Sequence, residues 1–137
     1  MAILKSELKK FRDLFTKCGP IFTALGDEVR QRLVLDIADA GEEGISVMDL
    51  TSLSSLSRPA ISHHLKVLKD CGLVETEKKG TWVFYRMSVS EQFEQIDELL
   101  HEILRITKKA KNNRNKKALK QEATTKTKST PARTKDE

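Results

Sequence analysis

A chain of 137 residues has room for one modest hydrophobic core and none for a second, catalytic domain. Its 25 Lys and Arg against 20 Asp and Glu give a net charge of +5, which permits a polyanionic partner without requiring one. Cys18 and Cys71 fall in no metal-binding or disulfide spacing, and no apolar run approaches the roughly 18 residues of a membrane span. The start MAILKSELKK has no signal-peptide core, so a soluble chain in a reducing cytoplasm, with no membrane partner, is the expectation.

In chain order, Leu4, Leu8, Phe11 and Phe15 recur at helical spacing and predict an amphipathic first helix. Gly19 and Pro20 are expected to break it, leaving a short helical piece from Ile21 to Leu25. Gly26 followed by Asp27 reads as a helix stop and a new N-cap, and Val29, Leu33, Ile37 and Ala40 mark a second helix from about Glu28 to Ala40. Gly41 and Gly44 end it. Ser46 with Asp49 three positions on is a short variant of the capping box and predicts a two-turn helix, which the Ser-rich TSLSSLS then closes. Ser57 caps the next helix. Pro59 is tolerated in its first turn, where amides have no intrahelical partner, and the helix runs to Asp70 before Gly72.

Two β-rich runs, LVETE and WVFYRM, are joined by KKGT with its permissive Gly80 and predict a β-hairpin. After Ser90, the residues Phe93, Ile96, Leu100, Ile103 and Leu104 predict a last amphipathic helix. Beyond about Lys109 the apolar period stops. Eleven Lys or Arg stand against three acids from Lys108 to Glu137, so residues 1–107 are acidic overall and the end of the chain is strongly basic. The expected division is a folded unit over 1–108 and a basic, disordered tail over 109–137, dense enough in Lys to follow a phosphate backbone.

A short helix, a tight turn, a second helix and a hairpin make a winged helix-turn-helix, whose second helix enters the DNA major groove by its N-terminal residues. On a helical wheel Ile61, Leu65 and Leu68 form the buried stripe, and Pro59, Ser62, His63, Lys66 and Asp70 occupy the opposite arc. Arg58 projects from the first turn, and His64 borders the buried stripe. Arg suits guanine, Ser and His suit base edges or phosphate, and Lys suits phosphate. A polar outer arc is also what any surface helix shows. The hairpin tilts the reading towards DNA, because Lys78 and Lys79 at its tip and Arg86 near its end can reach phosphate.

The stretches FTALGDEVRQRLVLDI and LSSLSRPAISHHLKVLKDCGLVETEKKGTWVFYRM, with the flanking helices, resemble the ArsR/SmtB family of dimeric winged-helix repressors over roughly residues 6–107. The resemblance implies a mainly helical fold with a small β-hairpin, a dimer formed by the first and last helices, and a double-stranded DNA operator as partner. By position, Ser57, Arg58, Pro59, Ser62 and His63 match DNA-contacting positions of the family. Pro59 departs from the pattern, since it can supply only shape or a methyl contact.

The family's sensing residues are mostly missing. Its thiolate motif, Cys-Val-Cys-Asp-Leu, corresponds here to Ser46-Val47-Met48-Asp49-Leu50, and its last-helix metal ligands are reduced to His101 with Asp97 one turn earlier. No metal, cofactor or catalytic residue is therefore expected, and the effector is unassigned. Two alternatives stay open: a winged-helix module that binds protein instead of DNA, and a redox-sensing repressor that uses Cys71 or Cys18.

Overall fold

The computed structural model describes residues 4–88 and 90–128. Its elements are α1 (Lys5–Leu25), α2 (Glu28–Ala40), a 3₁₀ turn (Gly41–Glu43), β1 (Ile45–Ser46), α3 (Val47–Ser52), α4 (Arg58–Asp70), β2 (Val74–Lys79), β3 (Trp82–Met87) and α5 (Glu91–Lys128).

The helix starts follow the caps. The side chain of Asp27 accepts from the Arg30 amide, that of Ser46 from the Asp49 amide, and that of Ser57 from the Ala60 amide. The break expected at Gly19 and Pro20 does not occur, because α1 runs through both. Pro20 leaves the Thr16 carbonyl without its usual helical donor. Cys18, Ile21 and Ala24 lie on either side of it, each at most 1 % exposed, and their burial in the core holds the helix together where propensity would end it.

The sheet has three strands rather than the two of the expected hairpin, in the order β1-β3-β2, all antiparallel. Ile45 pairs with Tyr85 and Ser46 with Phe84, an element of two residues too short to leave a sequence period. Gly44 makes this approach possible. Its φ is 76°, and a Cβ there would lie 2.8 Å from the Tyr85 carbonyl oxygen.

One core joins α1, α2, α3, α4 and the sheet through Ile21, Leu33, Ile37, Leu50, Ile61, Leu65, Leu68 and Val74, with Leu73 between α4 and β2. A smaller one, Leu14, Cys18 and Leu99 flanked by Phe11, Ile96 and Ile103, joins α1 to α5. These two helices run antiparallel, since Glu7 meets Arg105 at 3.3 Å and Lys10 meets Glu98 at 3.5 Å. The apolar face of α5 is split: Leu99 is fully buried, whereas Leu100 and Leu104 are 51 % and 55 % exposed.

The disorder expected after Lys109 is also corrected, because α5 continues to Lys128. From Thr107 to Thr125 nearly every side chain is exposed, so packing does not form this part of the helix. Lys, Ala, Arg and Gln favour helix locally, and growth from an existing helix avoids the cost of a new nucleus. The remainder of the expected tail, 129–137, lies outside the described residues.

Candidate nucleic-acid interface

Helix α4 presents two opposed faces. Ile61, Leu65 and Leu68 are fully buried. Arg58, Pro59, Ser62, His63 and Lys66 are exposed, with Ser57 at the cap. The turn that delivers the chain to this cap is held by the Leu56 amide, which donates to the Ser54 hydroxyl at 3.1 Å.

A residue that the wheel did not single out fixes the helix from behind. Arg30 donates from Nε to the Ala24 carbonyl at 2.7 Å and from Nη2 to the Thr23 carbonyl at 3.2 Å, and Gln31 donates to the Leu25 carbonyl at 2.7 Å. The orphan carbonyls at the end of α1 are thus satisfied by side chains of α2. The Nη1 of Arg30 lies 3.4 Å from Nδ1 of His64. A guanidinium has no acceptor, so Nδ1 of His64 must carry the lone pair in this contact. The two adjacent histidines are therefore divided: His64 is tied to the α1–α2 junction, and His63 is exposed. The only sequence signal for Arg30 was its place in the LGDEVR segment, which gives no spatial partner.

The wing follows α4 directly, with the Leu73 amide donating to the Leu68 carbonyl at 3.1 Å. Lys78 and Lys79 are exposed at its tip, opposite Val83 and Trp82, and the Lys79 ammonium lies 5.1 Å from the centre of the Phe84 ring. Trp82 is 49 % exposed there and was not foreseen as a surface residue of the tip. Arg86 is not part of this group. It sits opposite Glu75, donating to Glu75 at 2.7 Å and to Glu77 at 2.6 Å, and the Glu75 hydrogen bond heads the causes that raise its pKa. Its guanidinium braces the two strands.

Both cysteines are buried. Burial, reinforced by Glu98, raises the pKa of the Cys18 thiol, and the Cys71 thiol donates to the Leu68 carbonyl at 3.3 Å. Reactive cysteines are exposed and have lowered pKa values, so the redox alternative is not favoured. Ser46, at the position of the family's thiolate, caps α3. Among the described residues no three or more His, Cys, Asp or Glu side chains are grouped to hold a metal ion.

A mainly helical body, a small three-stranded sheet and a helix-turn-helix followed by a wing define a winged-helix, DNA-binding transcriptional regulator. A family model described as bacterial regulatory protein, arsR family, matches residues 27–76. The uncharacterized HTH-type transcriptional regulator MJ1325 of Methanocaldococcus jannaschii is 34 % identical over 89 residues, 65 % of this chain and 97 % of that protein. The arsenical resistance operon repressor of Bacillus subtilis is 33 % identical over 79 residues, 58 % of this chain and 73 % of that one. The arsenic resistance transcriptional regulator ArsR1 of Pseudomonas putida is 42 % identical over 67 residues, 49 % of this chain, and the match spans about half of that relative, 51 %. Among solved structures, an ArsR-like transcriptional regulator from Rhodococcus sp. RHA1 superposes with a TM-score of 0.58 at 30 % identity, over 81 % of this chain and 94 % of the other. This chain belongs to the arsR family of bacterial regulatory proteins. No helix among the described residues is long and apolar enough to cross a membrane.

Proposed function

We propose that the chain is a homodimeric, non-enzymatic repressor that acts in the cytoplasm, needs no cofactor, and reads a double-stranded DNA operator through α4. The observation that carries this is the division of α4, with three apolar residues fully buried and the side chains suited to DNA on the exposed face. In this reading Arg58 and His63 contact bases. Ser57, Ser62 and Lys66 hold phosphate or base edges, and Pro59 contributes shape. Lys78 and Lys79 bring the wing tip to the backbone. Arg86, expected from the sequence to join them, supports the wing through Glu75 and Glu77 instead.

The dimer is supported by apolar side chains that the protomer leaves uncovered: Leu4 at the cap of α1, Leu8, Phe15 and Phe22 of α1, and Leu100 and Leu104 of α5 are all more than a third exposed. A second copy related by a two-fold axis would cover both sets. Several of the relatives are regulators of arsenic or arsenical resistance. That signal does not carry over to this chain through the thiolate motif, whose positions hold Ser46, Val47 and Met48.

Selection of bound sites from random duplex DNA tests the reading. The full chain is expected to recover paired half-sites about one helical turn, or a multiple of it, apart. Arg58→Ala and His63→Ala should each lose about 1–3 kcal/mol on those sites and relax the base preference. Equal losses on random DNA would confine these side chains to phosphate, and recovery of no preferred sequence would overturn the reading in favour of a protein-binding module.

A further inference from the structure

The last helix changes the sign of its charge along its length. From Glu91 to Glu102 it carries five acids and no Lys or Arg, and from Arg105 to Lys120 it carries eight Lys or Arg and no acid. An exposed helix gains stability when opposite charges stand three or four residues apart, and loses it when like charges do. Here Arg105 and Lys109, Lys111 and Arg114, and Lys116 and Lys120 repel at those spacings, in a stretch where packing does not offset the cost. Among the described residues Lys109, Lys116 and Lys120 form no ion pair.

The residues on one side of this basic stretch are all hydrogen-bond donors. At 100° per residue, Arg105, Lys109, Asn112, Asn113, Lys116 and Lys120 share an arc about 100° wide, which no apolar residue interrupts. Arg105 is held by Glu7 and Glu102 and marks where the stripe leaves the folded body. The midline of the arc lies about 150° around the helix from that of the uncovered Leu100 and Leu104, so a second copy seated on those leucines leaves the stripe open. We propose that this stripe is a second, sequence-independent DNA-binding surface, whose Lys and Asn side chains hold backbone phosphates outside the half-sites read by α4. This rests on the DNA-binding reading above, and it gives the repelling cations a partner that neutralises them.

Position places those phosphates, and side-chain chemistry selects DNA. Because α1 and α5 are antiparallel, the extension leaves beside the N-terminal end of α1. Helix α4 is tied through Arg30 to the opposite end of α1, about 30 Å away along a helix of 21 residues, so the stripe does not share the phosphates beside its own α4. The other half-site is covered by the head and wing of the second copy. DNA is nevertheless held at high local concentration once α4 is docked. Leu119 is the sole large apolar residue from 109 to 128, so the extension has no apolar face to insert in a bilayer. A protein interface would be centred on aromatic or aliphatic anchors with few Lys, the reverse of this composition.

The test compares the full chain with a stripe variant, Lys109→Gln with Lys116→Gln and Lys120→Gln, and with a control of equal charge on the opposite side of the helix, Lys111→Gln with Arg114→Gln and Lys117→Gln. Affinity is measured against salt on a selected operator that ends at its half-sites, and on the same operator with two helical turns of DNA added at each end. Capture of a labelled second duplex by an immobilised one measures bridging. The stripe variant is expected to keep its base preference and to lower the slope of log affinity against log salt by about 2.7 on the extended operator, at 0.9 for each lost phosphate contact, with a smaller change in the control. Loss of bridging with single-duplex slopes unchanged also supports the second surface, and puts its phosphates on another duplex. Slopes and bridging equal to those of the full chain, equal losses in the control, or an equal loss on the bare operator would overturn it. If the full chain binds phosphatidylserine vesicles and the DNA slopes do not change, the stripe serves lipid and the proposal fails. Recovery of no preferred sequence by the full chain is a different failure, that of reading through α4, because the slopes report the stripe without reference to base preference.

Discussion

Helices α4 and α5 are formed by different physics. The thirteen residues of α4 are capped by Ser57, carry three fully buried side chains and are tied to the α1–α2 junction through His64. Of the thirty-eight residues of α5, packing on α1 holds those up to about Ile106, and local propensity carries the rest. Packing fixes where side chains point, which base reading requires; propensity alone supplies a rod that displays charge.

Substitutions sharpen this contrast. Leu65→Ala, in the fully buried stripe of α4, should cost about 2–5 kcal/mol in chemical denaturation, because it leaves a cavity under the reading face. A loss well below that range would show that the stripe collapses around the gap. Arg30→Ala should cost about 1–3 kcal/mol, since the Ala24 and Thr23 carbonyls lose their donor. Arg30→Lys should recover only part of it, a single ammonium being unable to reproduce the fork. Full recovery would mean that charge, not geometry, holds the junction.

Smaller effects are expected at the cap of α2 and in the extension. The Asp27 carboxyl is held below its ordinary value of 3.8, chiefly because the Arg30 amide donates to it. With the folded pKa lower than the unfolded one, its contribution is present above the ordinary value and fades as pH falls through the lowered one. Asp27→Asn keeps an acceptor at the cap and should flatten the stability profile in that acid range. An unaltered profile would assign the acid response to other carboxylates. Leu119→Ala should change stability by no more than about 0.5 kcal/mol. A loss of 2 kcal/mol would show that the extension packs after all.

The reading face was legible because α4 is a surface helix with a simple period. Ile61, Leu65 and Leu68 fall on one stripe, and everything opposite them is exposed. At Pro20 the same logic failed, since a local rule met burial of Cys18, Ile21 and Ala24 against residues distant in sequence. Periodicity marked α5 as amphipathic but chose Leu100 where Leu99 is the buried residue, because α5 has apolar residues on two faces and sequence does not say which one α1 covers. Strand β1 and the Arg30–His64 contact depend on partners more than thirty residues away. The braced Arg86 illustrates the same limit: residue type suggested a free cation, and cross-strand register supplied two carboxylates.

Pairing of Ile45 and Ser46 with β3 has a consequence for how the molecule comes apart. The strands join residues 45–46 to 84–85, so α3, α4 and β2 form a loop whose two ends are stitched together. While that stitch holds, the reading head and the outer strand of the wing can leave the body only as a loop tethered at both ends. Head and wing therefore make one cooperative unit, opening and closing together in native-state exchange, and a protein that must meet DNA with both at once has little access to states in which only one is in place.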